Sequence, residues 1–166
     1  MGNLRVIGIG EWQASRKSGD LLRTYGLGSC VALVLLHPQT MTVGLAHILL
    51  PDSVNQPTKV KKGPGYYADT AVPALLRMVL GMAGVTTPGG AGLVAKLAGG
   101  AVSWNTETRF QVGLRNIEAV ERLLHHYRIP LVGRDTGGTA SRTVTVDVAT
   151  GAVVVRWAPG NNDVRL

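Results

Sequence analysis

The sequence contains a single cysteine, Cys30, so it cannot form an intramolecular disulfide. A lone cysteine is typical of a reducing compartment, and 166 residues are enough to bury a core without covalent cross-links. Aromatic residues make up only 5% of the chain, which leaves Val, Leu, Ile and Ala to build that core. We therefore expect one globular domain that spans residues 1–166.

Long hydrophobic runs are also missing from the sequence. The longest plain apolar run, Val31–Leu36, is far shorter than the ~20 residues that a membrane-spanning helix needs. The first residues lack the charged-then-apolar pattern of a secretory signal, and Val6 breaks the myristoylation pattern. These absences predict a cytoplasmic protein with no membrane insertion.

Positive charge is in excess, with 17 Lys and Arg against 10 Asp and Glu. Such a balance attracts acidic partners, but no interleaving of basic and aromatic residues indicates a nucleic-acid groove. The basic residues are scattered except for Lys59, Lys61 and Lys62. This lysine cluster is a candidate for the rim of a substrate site, and a solvated loop is the alternative interpretation.

Apolar periodicity predicts eight strands and two helices in the order β-β-β-β-α-β-α-β-β-β. The strands are expected at 4–10, 21–24, 30–36, 43–50, 93–97, 129–132, 142–148 and 152–157, and the helices at 71–83 and 112–127. Pro73 is compatible with the first helix only in its first turn, and Gly151 suits a left-handed position in a hairpin. The pattern predicts an α+β fold, with a mixed sheet or sandwich flanked by the two helices.

The strands around Cys30 and His47 form a predicted hairpin. If His37 pairs with Thr42, then Ala32 lies opposite His47, and Cys30 becomes a diagonal neighbour of His47 on the same face. A nearby imidazole can lower the pKa of a thiol and generate the thiolate that attacks a carbonyl carbon. Taken singly, a lone cysteine is more often a small buried hydrophobe, and a strand histidine is more often a core residue.

Two further groups would complete a site for nucleophilic catalysis. Thr24, which lies before a glycine-rich turn, is a candidate to orient the imidazole. Gly28 and Ser29 immediately precede Cys30, and backbone N–H groups at such a turn can stabilise an oxyanion. The sequence has one cysteine and no HxH or HExxH spacing, so it indicates neither a metal nor a cofactor.

Several motifs resemble those of one protein family, the CheD chemoreceptor glutamine deamidases. The matching segments follow the family's order along most of the chain: Thr24–Ala32, Gly44–Pro51, Tyr67–Ala71, Ala95–Ala101, Gly113–Asn116, and Asp135–Gly138 together with Arg142. The resemblance implies that Cys30, His47 and Thr24 are the catalytic residues. It also implies a fold similar to the cytotoxic-necrotizing-factor-like cysteine hydrolases.

The resemblance further implies a substrate and a partner. The substrate would be selected glutamine side chains on the cytoplasmic helices of chemoreceptors, converted to glutamate through a cysteine thioester. Some family members are similar to methylesterases that act on glutamyl esters, and some bind a CheC-like phosphatase. We expect a monomer.

Other functions remain open on the sequence alone. A non-catalytic adaptor could bind chemoreceptors or a CheC-like phosphatase. The net charge of +7 is the only feature that favours a nucleic-acid binder. A papain-like peptidase is disfavoured, because the residues around Cys30 do not match that family's local sequence.

Overall fold

Ten strands and two helices make up the part of the chain that the computed structural model describes, which is residues 1–54, 63–87, 89–102 and 111–166. The strands are β1 Leu4–Val6, β2 Trp12–Ser15, β3 Leu21–Leu27, β4 Val31–His37, β5 Thr42–Ile48, β6 Val94–Gly99, β7 Leu131–Thr136, β8 Ser141–Asp147, β9 Val153–Ala158 and β10 Asp163–Arg165. The helices are α1 Ala68–Ala83 and α2 Val112–His126, and a 3-10 turn at Pro64–Tyr66 precedes α1.

The strands form two five-stranded mixed sheets. The outer sheet has the order β1-β3-β8-β9-β10, and the central sheet has the order β2-β5-β4-β6-β7. In each sheet one pair is parallel, β1 with β3 and β6 with β7, and the other pairs are antiparallel. Both helices pack on the central sheet, so the layers run outer sheet, central sheet, helices. The predicted α+β class is confirmed.

The central sheet is buried on both faces, because apolar side chains alternate between its two neighbouring layers. In β4, Leu33 and Leu35 belong to the core under the helices, whereas Ala32 and Val34 belong to the core between the two sheets. This explains why β4 is a continuous apolar run rather than an alternating one. A polar side chain that faces the second core is therefore buried between two sheets.

Helix α1 lies close against the central sheet at Gly44 of β5. A Cβ atom at this position would come within 2.5 Å of a side-chain carbon of Val79 and 2.7 Å of one of Leu75. The missing side chain at Gly44 thus lets two large residues of α1 rest directly on the strand, which anchors the hairpin formed by β4 and β5.

The structure corrects several predicted elements. Strands β2 and β10 were not predicted, and β3 continues through residues 25–27, which the sequence indicated as a turn. Pro73 lies inside α1, beyond its first turn. Gly151 has the expected positive φ of 70°. Among the described residues, neither helix has the length and apolar character to span a bilayer.

Candidate active site

The hairpin of β4 and β5 brings Cys30 and His47 to the same face of the central sheet. His37 pairs with Thr42 and Ala32 pairs with His47, as the sequence predicted. Continuing this register places Cys30, which directly precedes β4, diagonally across from His47, at ~7–8 Å between Cα atoms. Cys30 and Ala32 both belong to the core between the sheets, so the thiol and the imidazole share that layer.

Thr24 reaches His47 from the opposite sheet. Its Oγ1 lies 2.7 Å from Nδ1 of His47 and 2.7 Å from the carbonyl oxygen of Ile7. A threonine hydroxyl has one hydrogen, and Thr24 donates it to Ile7. Thr24 must therefore accept a hydrogen bond from His47, which places the imidazole proton on Nδ1 and leaves Nε2 as the basic nitrogen. His47 is 1% exposed and Thr24 is fully buried.

The basic nitrogen of His47 is unengaged. Nε2 is buried and has no hydrogen-bond partner among the described residues, the Cys30 thiol included. Hydrogen bonds between catalytic groups are often long before substrate binds and tighten in the reacting complex. A free, buried lone pair in the layer that also contains the thiol can serve as a general base for that thiol.

Burial shifts the pKa values of both groups toward their neutral forms. It raises the pKa of the Cys30 thiol, an effect that the residue's own backbone N–H offsets in part. It lowers the pKa of His47 to about 4. The sequence analysis noted that a nearby imidazole can lower a thiol pKa; burial acts on Cys30 in the opposite direction and favours the neutral form of both groups.

The loop that carries Cys30 is held by its carbonyl groups. Three consecutive carbonyl oxygens each accept one hydrogen bond: Gly28 from the N–H of Ala101 at 2.8 Å, Ser29 from Nδ2 of Asn116 at 2.9 Å, and Cys30 from the N–H of Gly100 at 2.8 Å. The donors come from the two residues that follow β6 and from α2. The loop is therefore fixed on one side by its oxygens.

The N–H groups of the same loop face the other way, because the C=O and N–H of a trans peptide point in opposite directions. Among the described residues, the N–H of Ser29 has no acceptor and the N–H of Cys30 interacts only with its own thiol, so both can receive an oxyanion. The N–H of Gly28 is different, since it donates to Gly26 at 3.0 Å. The structure thus leaves Ser29 and Cys30 as candidate donors and removes Gly28.

A glycine is required beside this loop. Gly99 has a φ of 105°, and a Cβ atom there would lie 2.4 Å from the carbonyl oxygen of Cys30. Any side chain at this position would displace the backbone that carries the thiol. Sequence spacing does not identify Cys30 as the neighbour of Gly99, because the contact is made between two separate strands.

Asn116 is a site residue that the sequence analysis left without a role. It is fully buried on α2, and its side chain contacts the loop at Ser29. The signal was present in the sequence: a polar residue lies on the apolar face of a helix, beside Ile117 and one turn before Val120. Such a residue usually has a specific buried partner.

Lys59, Lys61 and Lys62 fall outside the described residues. Within the described ranges, no group of three or more His, Cys, Asp or Glu side chains is arranged to hold a metal ion.

Comparison with known proteins gives one family. Residues 49–157 match the family model described as CheD chemotactic sensory transduction. Three similar proteins are each named chemoreceptor glutamine deamidase CheD. The one from Thermotoga maritima is 37% identical over 162 residues, which cover 98% of this chain and 97% of that protein. Those from Bacillus licheniformis and Bacillus velezensis are 40% and 41% identical, covering 90% and 83% of this chain and 88% and 81% of theirs.

Proposed function

The chain belongs to the CheD family, and on this basis we propose that it is a cytoplasmic chemoreceptor glutamine deamidase. One observation carries the proposal at the level of chemistry. Thr24 holds His47 in the tautomer that leaves Nε2 free, in the same layer as Cys30. A thiol, a correctly protonated imidazole and two free backbone N–H groups are the parts that acyl transfer needs.

The first step is the attack of Cys30 on the carboxamide carbon of a receptor glutamine. The thiol proton moves to Nε2 of His47 as the S–C bond forms, because both groups start neutral. The amide oxygen becomes an oxyanion, which the N–H groups of Ser29 and Cys30 stabilise. Thr24 accepts the hydrogen bond from Nδ1 throughout, so the imidazolium that forms stays oriented.

The second half releases ammonia and then glutamate. The imidazolium of His47 gives its proton to the departing nitrogen as the C–N bond breaks, which leaves a glutamyl thioester on Cys30. Water then loses a proton to His47 and attacks the thioester carbon. The S–C bond breaks, the thiolate recovers the proton, and the product is a glutamate side chain. A glutamyl methyl ester would react by the same steps, with methanol as the leaving group.

The test incubates the cytoplasmic fragment of a chemoreceptor with the protein. It then measures the intact mass of the fragment and the amount of ammonia released. Each converted glutamine adds about one dalton, and Cys30→Ala should abolish the change while binding is retained. The chain offers a matched control pair, because His37 and His47 are buried histidines on the same hairpin. His47→Gln should be inactive, and His37→Gln should be active. If the wild-type protein binds the fragment without changing its mass, the proposed activity is wrong.

The second candidate function is a non-catalytic adaptor that binds chemoreceptors or a CheC-like phosphatase. It predicts that Cys30→Ala leaves every biological effect unchanged. We also propose that the enzyme is a monomer when free and that it binds a CheC-like phosphatase. Measuring the molecular mass of the protein in solution, with and without such a phosphatase, tests both proposals. A fold relationship to the cytotoxic-necrotizing-factor-like cysteine hydrolases is part of the same proposal, supported by the two-sheet α+β architecture.

A further inference from the structure

Asn116 joins the two arms of the hairpin that carries Cys30 and His47. Its side-chain amide donates to the carbonyl oxygen of Ser29 at 2.9 Å and to that of Leu49 at 2.9 Å. Ser29 directly precedes Cys30, and Leu49 follows His47 by two residues. One amide group on α2 thus bridges the open end of the hairpin, where the β4–β5 ladder stops.

The orientation of the Ser29–Cys30 peptide depends on this contact. Because Asn116 holds the carbonyl oxygen of Ser29 toward α2, the N–H of Cys30 in the same trans peptide points away from α2. Asn116 therefore acts on the oxyanion donor without contacting the space where substrate reacts.

Both hydrogen bonds of the Asn116 side chain go to the hairpin. Its Oδ1 atom is buried and has no hydrogen-bond partner among the described residues. An unsatisfied buried acceptor is costly, but an apolar side chain would leave the carbonyl oxygens of Ser29 and Leu49 without this donor. The residue places both amide hydrogens on the two arms of the hairpin. This pattern is expected of a residue that fixes the position of one arm of the hairpin relative to the other.

We propose that Asn116 is a positioning residue for the deamidation, fixing both the separation of Cys30 from His47 and the direction of the Cys30 N–H. The inference rests on the proposed function, because it assigns Asn116 a part in that reaction. The residue acts through Ser29 and Leu49 and does not touch the glutamine. Its loss should therefore lower kcat and leave KM almost unchanged.

The first test compares Asn116→Leu, which keeps the shape of the side chain without its donors, with Val120→Ala as a control. Val120 is equally buried on the same helix and makes no polar contact there. We expect kcat to fall about 10- to 100-fold in Asn116→Leu, since small displacements of reacting groups have effects of this size. Val120→Ala should keep its kcat at temperatures where both variants are folded. Asn116→Asp replaces the Nδ2 donor with a carboxylate oxygen and should lose activity to the same extent. It replaces Asn116→Leu in this test if that variant does not fold.

The second test needs no receptor. Cys30 is the only cysteine, so its alkylation by iodoacetamide reports on the thiol alone. We expect His47→Gln to lower the rate of Cys30 alkylation when it is made in the otherwise wild-type protein. When it is made in the Asn116→Leu protein, we expect it to change that rate little further. An equal effect of His47→Gln in both backgrounds, or an unchanged kcat in folded Asn116→Leu, would overturn the inference. If His47→Gln has no effect in the wild-type background, the thiol–imidazole pair of the proposed function fails instead.

Discussion

Replacing Thr24 with Val tests whether the tautomer of His47 is set from the outer sheet. Valine has nearly the same shape but no hydroxyl, so the substitution removes two hydrogen bonds of 2.7 Å, one to Nδ1 of His47 and one to Ile7. The Nδ1–H then has no acceptor in a side chain that is 1% exposed. An unsatisfied buried donor costs about 1–3 kcal/mol.

The imidazole can escape that cost only by turning or by moving its proton to Nε2, and either change removes the base that faces Cys30. The same 1–3 kcal/mol therefore appears as a loss of about 5- to 150-fold in kcat for Thr24→Val, since 1.36 kcal/mol corresponds to a factor of ten. Thr24→Ser keeps the hydroxyl and should retain most of the activity.

The assay is ammonia release from a receptor fragment, combined with nitrogen NMR of the histidine rings to identify which ring nitrogen of His47 carries the proton. The wild-type protein and Thr24→Ser should show a protonated Nδ1, and Thr24→Val should show a changed ring state. A folded Thr24→Val protein with wild-type kcat would refute the reasoning, because Nε2 would then be available without the hydroxyl.

The remaining predictions concern His47 and Gly113. Burial holds the pKa of His47 near 4 in the folded protein against about 6.5 when unfolded, so the unfolded state binds more protons between these values. The free energy of unfolding should therefore fall by about 3 kcal/mol as pH drops from about 6.5 to 4, in denaturant titrations, and His47→Gln should remove this part of the pH dependence. A Cβ atom at Gly113 would lie 2.4 Å from the carbonyl oxygen of Ala101, so Gly113→Ala should displace the start of α2 and lower kcat. Gly81→Ala on α1, where nothing lies within 4 Å of the added carbon, should keep kcat and raise stability by about 0.5–1 kcal/mol. Equal kcat values for the two glycine variants would contradict the steric argument.

The local part of the site could be predicted from the sequence because it lies on one hairpin. The spacing of Cys30 and His47 around a short turn fixes their register if His37 pairs with Thr42, and the structure has this pairing. The limits of α2 were also predictable to within one residue, since its apolar positions recur at helical spacing and Pro130 follows.

The long-range part could not be predicted from spacing. Thr24 reaches His47 only because two separate sheets stack face to face, and no local pattern specifies that packing. Short edge strands such as β10 bury little and carry no clear periodicity, so they were missed. The direction of the pKa shifts depends on burial on both sides of the central sheet, which becomes known only when the layers are assembled.

The burial of Cys30 has a consequence for oxidation chemistry. Peroxides attack thiolates far more readily than thiols, and sites that sense oxidants usually pair a low thiol pKa with exposure. Cys30 is 6% exposed with a raised pKa, and the chain has no second cysteine to resolve a sulfenic acid as an internal disulfide. Because no second cysteine can rescue a sulfenic acid, the burial and raised pKa of Cys30 are what protect the thiol from the irreversible steps of oxidation.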